Sequence, residues 1–505
     1  MIALHAPRST CGTALAVAAL LAVNLPDATA AQAALTAREI AQAVCSGKTR
    51  STDEVRAALD RARDLKGWNA FIHVNEAGAS AAASKLAAAK RAARCRPLAG
   101  VPIVVKDNIE VAGLPSSAGT PALAGYVPAT DAPVVARLRA AGAIVIGKTN
   151  MHELAFGVTG WNPMSQTGPE PGVRNAWDRS RIAGGSSSGT GAAVGARVVP
   201  AGLGTDTGGS VRIPCAFNGC ASLRPTIGRY PQAGIAPISH TRDTAGPMAA
   251  AMADVELLDR VIAGGPAAKP ASLKTVRLGL AAPLLANLDA DTRTAFDAAL
   301  AKLKAAGVTV IEVDMPRLME LNGAIGFPLA LYEAYDDMVA YLKHTGTGVT
   351  VEQMAERAVS PDVKGTYQGL VIPRKLPGPN NTVVDARPAY DAAMATARPA
   401  LQALYKATFR THRLDALVFP TVPVVALPAT PESSSVPNFM LLIQNTDPGS
   451  NAGLPGLQLP IGLGGSSKLP IGMELDGPAN SDRRLVAIGL AIEKLLGRLP
   501  APELR

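Results

Sequence analysis

Aromatic residues make up only 4% of this 505-residue chain, histidines number 6, and charged residues are 18%. Each shortage excludes something. No element interleaves aromatics with a basic cluster, so the net charge of +9 describes a mildly basic surface, and nucleic-acid binding is not expected. The densest basic stretch, Lys90 to Arg96, is the end of one amphipathic helix. No His/Cys/Asp cluster has metal-ligand spacing; no metal or cofactor is expected, and activity should survive EDTA. Beyond one short apolar run near the N-terminus nothing is long enough to span a bilayer, so no stable membrane association is expected. What is abundant is apolar residue, 48% of the chain, which marks a globular protein able to bury a large core.

The apolar run is informative. Arg8 precedes it, it extends from Thr13 to Leu25, and Ala28-Thr29-Ala30 follows. That pattern predicts a secretory signal peptide over residues 1–30, cleaved after Ala30, and a mature chain of residues 31–505 that is secreted or periplasmic. Cys11 lies before the run and so cannot be a lipoprotein cysteine. Export leaves Cys45, Cys95, Cys215 and Cys220 in an oxidising compartment. Cys45 and Cys95 lie on two early helical segments and could bridge; whether they do is open at this level. Cys215 and Cys220 flank a Phe-Asn-Gly turn and read as small buried thiols.

From Thr36 to about Arg96 the apolar spacing is helical, with Ser51-Thr52 as an N-cap. Strands are predicted at Leu98–Val105, Ala143–Ile146, Val276–Leu280, Thr309–Val313 and Ala416–Phe419. Helices are predicted at Pro133–Ala141, with proline in the first turn, and at Thr292–Ala306. Short apolar strands alternating with helices imply an α/β fold, a mixed or parallel sheet covered on both faces. Residues 318–399 differ in texture and read as a helical insertion over the sheet edge, broken by the loop Leu376-Pro-Gly-Pro-Asn380.

Two motif matches fail on context. Gly142 to Thr149 fits the P-loop pattern, but Ala143-Ile-Val-Ile146 are strand formers that want burial, not an exposed phosphate cradle. Gly185-Ser-Ser-Ser-Gly189 fits the nucleophile elbow, but no good strand precedes it, and His240, His344 and His412 are poorly placed to complete a triad.

Three blocks carry the chemistry: Gly100-Val-Pro-Ile-Val-Val-Lys106-Asp107-Asn108, Ile182-Ala-Gly-Gly-Ser186-Ser187-Ser188-Gly-Thr, and Gly202-Leu-Gly-Thr-Asp206-Thr207-Gly208-Gly209-Ser210-Val-Arg212. A serine hydroxyl is a poor nucleophile until a base takes its proton, and a lysine can be that base if burial keeps it neutral. Lys106 closes an apolar strand and can enter such a site. In order and spacing these blocks resemble the amidase signature family, from Leu98 to about Gly264 and again at Val418–Pro423 and Asn445–Leu496. The resemblance implies that family's fold, a large mixed sheet flanked by helices. It also implies Ser210 as nucleophile, Ser186 as proton relay and Lys106 as base, with Gly185–Ser186 cis. The amides of Thr207, Gly208, Gly209 and Ser210 would form the oxyanion hole, and Phe156 and Gly185 would contact substrate. Asp206, Arg212 and Ser187 would be supports, Ser188 a loop partner, and Asp107 and Asn108 would fix the strand end. Among three adjacent serines the residues themselves carry no label, so choosing Ser186 rests on family register alone.

Pro237 to Met248, Asn445 to Gly456 and, more loosely, Arg374 resemble the indoleacetamide and mandelamide hydrolase branch. That implies small aryl or arylalkyl amides cleaved to carboxylate plus ammonia or amine through an acyl-enzyme. An aryl acylamidase, carbamate hydrolase or esterase is the alternative on the same triad. A glutamine-amidase subunit of a tRNA amidotransferase is disfavoured by the leader. A non-catalytic protein on this fold would be expected to lack one of the three residues, and none is missing. Two departures stand out: the long Trp161–Val173 loop, and Ala221-Ser-Leu-Arg224-Pro-Thr in place of the usual Gly-Leu-Lys-Pro. A homodimer is left open.

Overall fold

Side-chain alternation on the central strands sets the architecture. A computed structural model of the protein describes residue 3, residues 36–165 and residues 172–504. The chain divides after Ala33, and the fold is that of the unit Ala34–Arg505. The predicted leader, with its cleavage position at Ala30, lies outside the described residues, as do residues 166–171 of the long loop.

The strands are β1 (Phe71–Val74), β2 (Pro102–Lys106), β3 (Ile144–Thr149), β4 (Ala201–Asp206), β5 (Ala221–Arg224), β6 (Thr244–Ala249), β7 (Arg277–Ala281), β8 (Thr309–Val313), β9 (Lys375–Pro377), β10 (Val383–Asp385), β11 (Ala416–Pro420), β12 (Gly456–Leu463) and β13 (Pro470–Asp476). All but β9 and β10, which form a separate hairpin, build one 11-stranded sheet ordered β1-β3-β2-β4-β6-β5-β12-β13-β11-β7-β8. It is mixed: β3, β2 and β4 run parallel, as do β11, β7 and β8, and the strands between them are antiparallel. On β2, Ile103 and Val105 enter one core, with the helices Pro133–Ala140, Met252–Ala263 and Asp482–Leu496. Val104 enters the other, with the helix Ser51–Asp64 and part of Ser188–Gly195. A period of two thus buries both faces of the sheet.

Register brings the chemistry-bearing blocks together. Val105 of β2 stands opposite Leu203 of β4, so the next residues, Lys106 on one strand and Gly204-Thr205-Asp206 on the other, emerge side by side at the carboxyl ends of parallel neighbours. That end of an open α/β sheet is where ligands bind. Glycine is required on β4: a Cβ at Gly202 would lie 2.8 Å from Thr190 Cγ2, and one at Gly204 would lie 2.6 Å from Ser187 Oγ. Their absence lets the serine loop and its helix lie flush on the strand.

The elements match the reading of the sequence with instructive exceptions. The early helical stretch is interrupted by β1, which pairs with β3. Ser51 does not cap its helix; its hydroxyl donates to Ala83 O at 2.7 Å, whereas Thr36 caps the first helix through a capping box with Glu39. Residues 318–399 are largely helical and bury an apolar cluster around Leu331, Met338, Met354 and Tyr367 against Ala118, Leu123, Leu154 and Ala236, with the β9–β10 hairpin where a loop was expected. Cys45 and Cys95 form a disulfide. Cys215 and Cys220 do as well, which corrects the expectation of free buried thiols. The helix Arg212–Asn218 ends in the left-handed Gly219, and this fold-back leaves the two Cα atoms 4.6 Å apart. Among the described residues no helix is long and apolar enough to cross a membrane.

Candidate active site

Strand β2 carries Lys106 into the interior, where it is fully buried. Burial pulls its amine down from 10.5 to about 7, and the carboxylates of Asp206 and Asp243 offset this only in part. Nζ lies 2.7 Å from Ser186 Oγ and 2.7 Å from Thr205 Oγ1. Asn108 Nδ2 donates to that threonine at 3.1 Å and to Ala236 O at 3.2 Å, bracing the strand end. Asp107 turns elsewhere: it accepts from the amide and hydroxyl of Ser117 and pairs with the buried Lys148 at 3.3 Å. Lys148, the lysine of the P-loop-like stretch, is therefore a buried strand residue with a carboxylate partner. Near neutral pH about half the Lys106 amines are unprotonated, so this amine can take the proton of the hydroxyl it touches.

The Gly185–Ser186 bond is cis. Ser186 is fully buried, and its carbonyl accepts the His152 amide at 3.2 Å. Ser187 serves the scaffold: its amide donates to Ser210 O at 3.1 Å and its hydroxyl to Thr205 O at 3.1 Å. Ser188 opens the helix Ser188–Gly195, and its buried hydroxyl has no partner among the described residues. Lys106 and Ser186 thus meet directly, while Ser210 is tied to the serine loop through backbone; among the described residues the Ser186 and Ser210 hydroxyls do not bond each other.

Ser210 follows β4 across the turn Thr207-Gly208-Gly209. Among the described residues the amides of Thr207, Gly208 and Ser210 donate to no acceptor. Gly209 differs from expectation: its amide donates to Asp206 Oδ1 at 2.8 Å. Its part is conformational, since φ is +136° and a Cβ would run into the Thr446 side chain. Gly185 departs too. It does not line the cavity but packs on backbone, where a Cβ would lie 3.0 Å from Gly157 O.

Asp206 holds the turn from below. Its carboxylate accepts the amides of Gly209 and Val211 and ion-pairs with Arg212 and Arg224, all fully buried. Burial alone would push Asp206 up, but the two guanidinium groups hold it well below the usual carboxylate range. Arg212 also reaches Glu474 on β13 and donates to Thr446 O at 3.0 Å. Asp206 and Arg212 thus pair in the interior, as supports of the turn. Arg224, from the segment that departs from the family pattern, supplies a second cation to the same carboxylate.

A cavity of about 280 Å³ opens onto Thr207, Gly208 and Ser210. Its wall is mainly apolar, with Phe156, Ile238, Phe327, Leu331, Phe439 and Ile443. Phe156 is held edge-on by Tyr367, ring centroids 5.0 Å apart. Arg374 is not in the lining; it pairs with Asp336 and lies over Tyr332 and Tyr335. Several contributors were missed from sequence. Thr205 meets Lys106, Thr446 donates to Gly208 O at 2.6 Å, and Asp243 accepts the Thr207 hydroxyl at 2.6 Å. The Arg242–Asp447 ion pair lies against Gly208 in the cavity wall. The available signal was the pair of stretches Pro237–Met248 and Asn445–Gly456, which hold Arg242, Asp243, Thr446 and Asp447.

This fold and these blocks belong to one family. The chain matches the Amidase family over residues 53–486 and is a member of it, an enzyme that hydrolyses amides. It is 45% identical over 469 residues to a mandelamide hydrolase of Pseudomonas putida, covering 93% of this chain and 92% of that one. An indoleacetamide hydrolase of Agrobacterium vitis is 40% identical, with 89% and 94% covered. Among solved structures, the native peptide amidase of Stenotrophomonas maltophilia superposes with a TM-score of 0.79 at 28% identity, over 93% of this chain and 98% of that one.

Proposed function

We propose that this amidase cleaves small aryl or arylalkyl amides, primary amides foremost, to a carboxylate and ammonia through a Ser210 acyl-enzyme. The observation that carries the reading is the buried Lys106 amine, brought by burial to about 7 and lying 2.7 Å from Ser186 Oγ, beside a turn with three amides that find no acceptor among the described residues. Lys106 accepts the Ser186 proton, Ser186 accepts that of Ser210, and Ser210 Oγ bonds to the carbonyl carbon. The oxygen that becomes negative is held by the amides of Thr207, Gly208 and Ser210, each such donor being worth about 2.7–4 kcal/mol. Return of the proton through the same path expels ammonia, and water repeats the sequence to free the acid. The apolar wall suits an aromatic acyl group, as in the amides named for the two relatives.

Export is part of this reading. It is supported by the Arg8, Thr13–Leu25 and Ala28-Thr29-Ala30 pattern and by two disulfides, which persist in oxidising compartments. The test is ammonia and amine release from indole-3-acetamide, mandelamide, benzamide, an anilide and a carbamate, with Ser210→Ala as control. Activity surviving in Ser210→Ala overturns the mechanism; release from the anilide or carbamate alone overturns the substrate class. N-terminal sequencing of protein secreted or released from the periplasm should begin at Ala31, and protein confined to the cytoplasm with Met1 intact would refute export.

A further inference from the structure

Besides the Arg242–Asp447 ion pair, the cavity wall carries a polar seam. Asp362, in the helix Pro361–Thr366, His152 and Thr159, seven residues apart after β3, and Ser434 all line the cavity and come from three separate segments. They are joined in series: Asp362 Oδ2 lies 3.0 Å from His152 Nε2, His152 Nδ1 lies 3.3 Å from Thr159 Oγ1, and Thr159 Oγ1 lies 2.9 Å from Ser434 Oγ.

The chemistry of the Asp362 end follows from counting donors and acceptors. Burial pushes the Asp362 carboxyl up, but His152 and backbone amides outweigh it and hold the group below the ordinary range, so it is ionised and can only accept. One oxygen takes the His152 ring N–H and the other the Val363 amide at 2.9 Å. A carboxylate has about four acceptor sites, so capacity remains. The two partners differ in access: the His152 side chain is 1% exposed and that of Asp362 31%. His152 is thus the fixed anchor, and Asp362 is the charged group a ligand can reach. Thr159 Oγ1 and Ser434 Oγ, 2.9 Å apart, continue the seam beyond the imidazole. An acyl group with only C–H at this wall leaves the Asp362 carboxylate unmatched, whereas one bearing O–H or N–H gains a charge-assisted hydrogen bond.

We propose that Asp362, oriented by His152, selects the acyl group by accepting a hydrogen bond from an O–H or N–H donor on the acyl side of the amide. The inference rests on reading the cavity as the amide-binding site. It assigns Asp362 to specificity and His152 to positioning, and it narrows the substrates to donor-bearing arylalkyl amides.

Matched pairs test it: mandelamide against phenylacetamide, and indole-3-acetamide against 1-methylindole-3-acetamide. The wild type should favour the donor-bearing member of at least one pair by about tenfold or more in kcat/KM, the size of one hydrogen bond to a charged group. In Asp362→Asn that ratio should fall toward one, chiefly through KM; in Ser434→Ala it should fall less. Wild-type ratios near one in both pairs overturn the proposal, as does an Asp362→Asn ratio equal to wild type. Calorimetric affinities of the same four compounds for Ser210→Ala protein give the ratios without turnover. If no compound releases ammonia, the proposed reaction fails, while the affinity ratios still decide for or against Asp362. Should Asp362→Asn not fold, the wild-type and Ser210→Ala ratios decide alone.

Discussion

The pH dependence of Lys106 is the sharpest consequence of the site. An ordinary lysine at 10.5 is about 0.03% neutral at pH 7, whereas Lys106, brought by burial to about 7, is about 50% neutral. Burial therefore multiplies the population of free base by roughly a thousandfold. With the group at about 7, the neutral fraction is about 9% at pH 6 and about 91% at pH 8. The expected result is a kcat/KM for ammonia release that climbs about tenfold between those pH values and then levels. Lys106→Ala should lose about 10²–10⁴-fold at pH 7, with a residual rate that keeps rising above pH 9. A wild-type profile flat from pH 6 to 8, or a Lys106→Ala enzyme as fast as wild type at pH 7, would refute the assignment. The same depression lowers stability. The unfolded chain keeps the Lys106 proton up to about 10.5, while the folded one releases it near 7, so between these values the unfolded state binds more protons. Stability contributed by this group therefore rises with pH across that window, and below it the full cost, about 5 kcal/mol, is present. Urea midpoints of wild type relative to Lys106→Met should climb from pH 7 to 10; parallel curves would contradict the burial argument.

Two further expectations concern the scaffold. Arg212→Met strands Asp206 and Glu474 in the interior with one fewer cation and should destabilise by about 3–5 kcal/mol in denaturant titration, with activity lost as the turn loosens; a loss under 1 kcal/mol would show that the cluster does not brace the turn. The Cys45–Cys95 bridge spans 50 positions, so Cys45→Ala with Cys95→Ala should lower stability by about 4 kcal/mol by the chain-entropy argument, with kcat little changed; an unchanged denaturation midpoint would contradict it.

Much was legible where the physics is local. The apolar runs at Leu98–Val105 and Ala143–Ile146 announced strands buried on both faces, and β2 and β3 lie within one residue of the first and three of the second at their C-terminal ends. The proline-led helix and the one starting near Thr292 fall within two residues of expectation. β1 was not legible, because a strand of four residues in an Ala-rich helical stretch has no period of its own and exists by pairing with β3. The second disulfide was hidden for a related reason: only the left-handed Gly219 brings Cys220 back over Cys215.

The sequence alone determined the class of fold, the family and the three blocks from which a site could be built, because periodicity and glycine-rich turns act over a few residues. Tertiary structure decided which atoms meet. Three adjacent serines carry no internal distinction, yet it is Ser186, 80 positions from Lys106, whose hydroxyl touches the amine. Four glycine-turn amides read alike, yet Asp206 engages Gly209, while the other three find no acceptor among the described residues. Arg242 and Asp447, 205 positions apart, become one ion pair behind Gly208, and the polar seam joins Asp362 to His152 across 210. Register between parallel strands and the requirement that buried polar groups find partners set these contacts, and both exist only once the chain has folded.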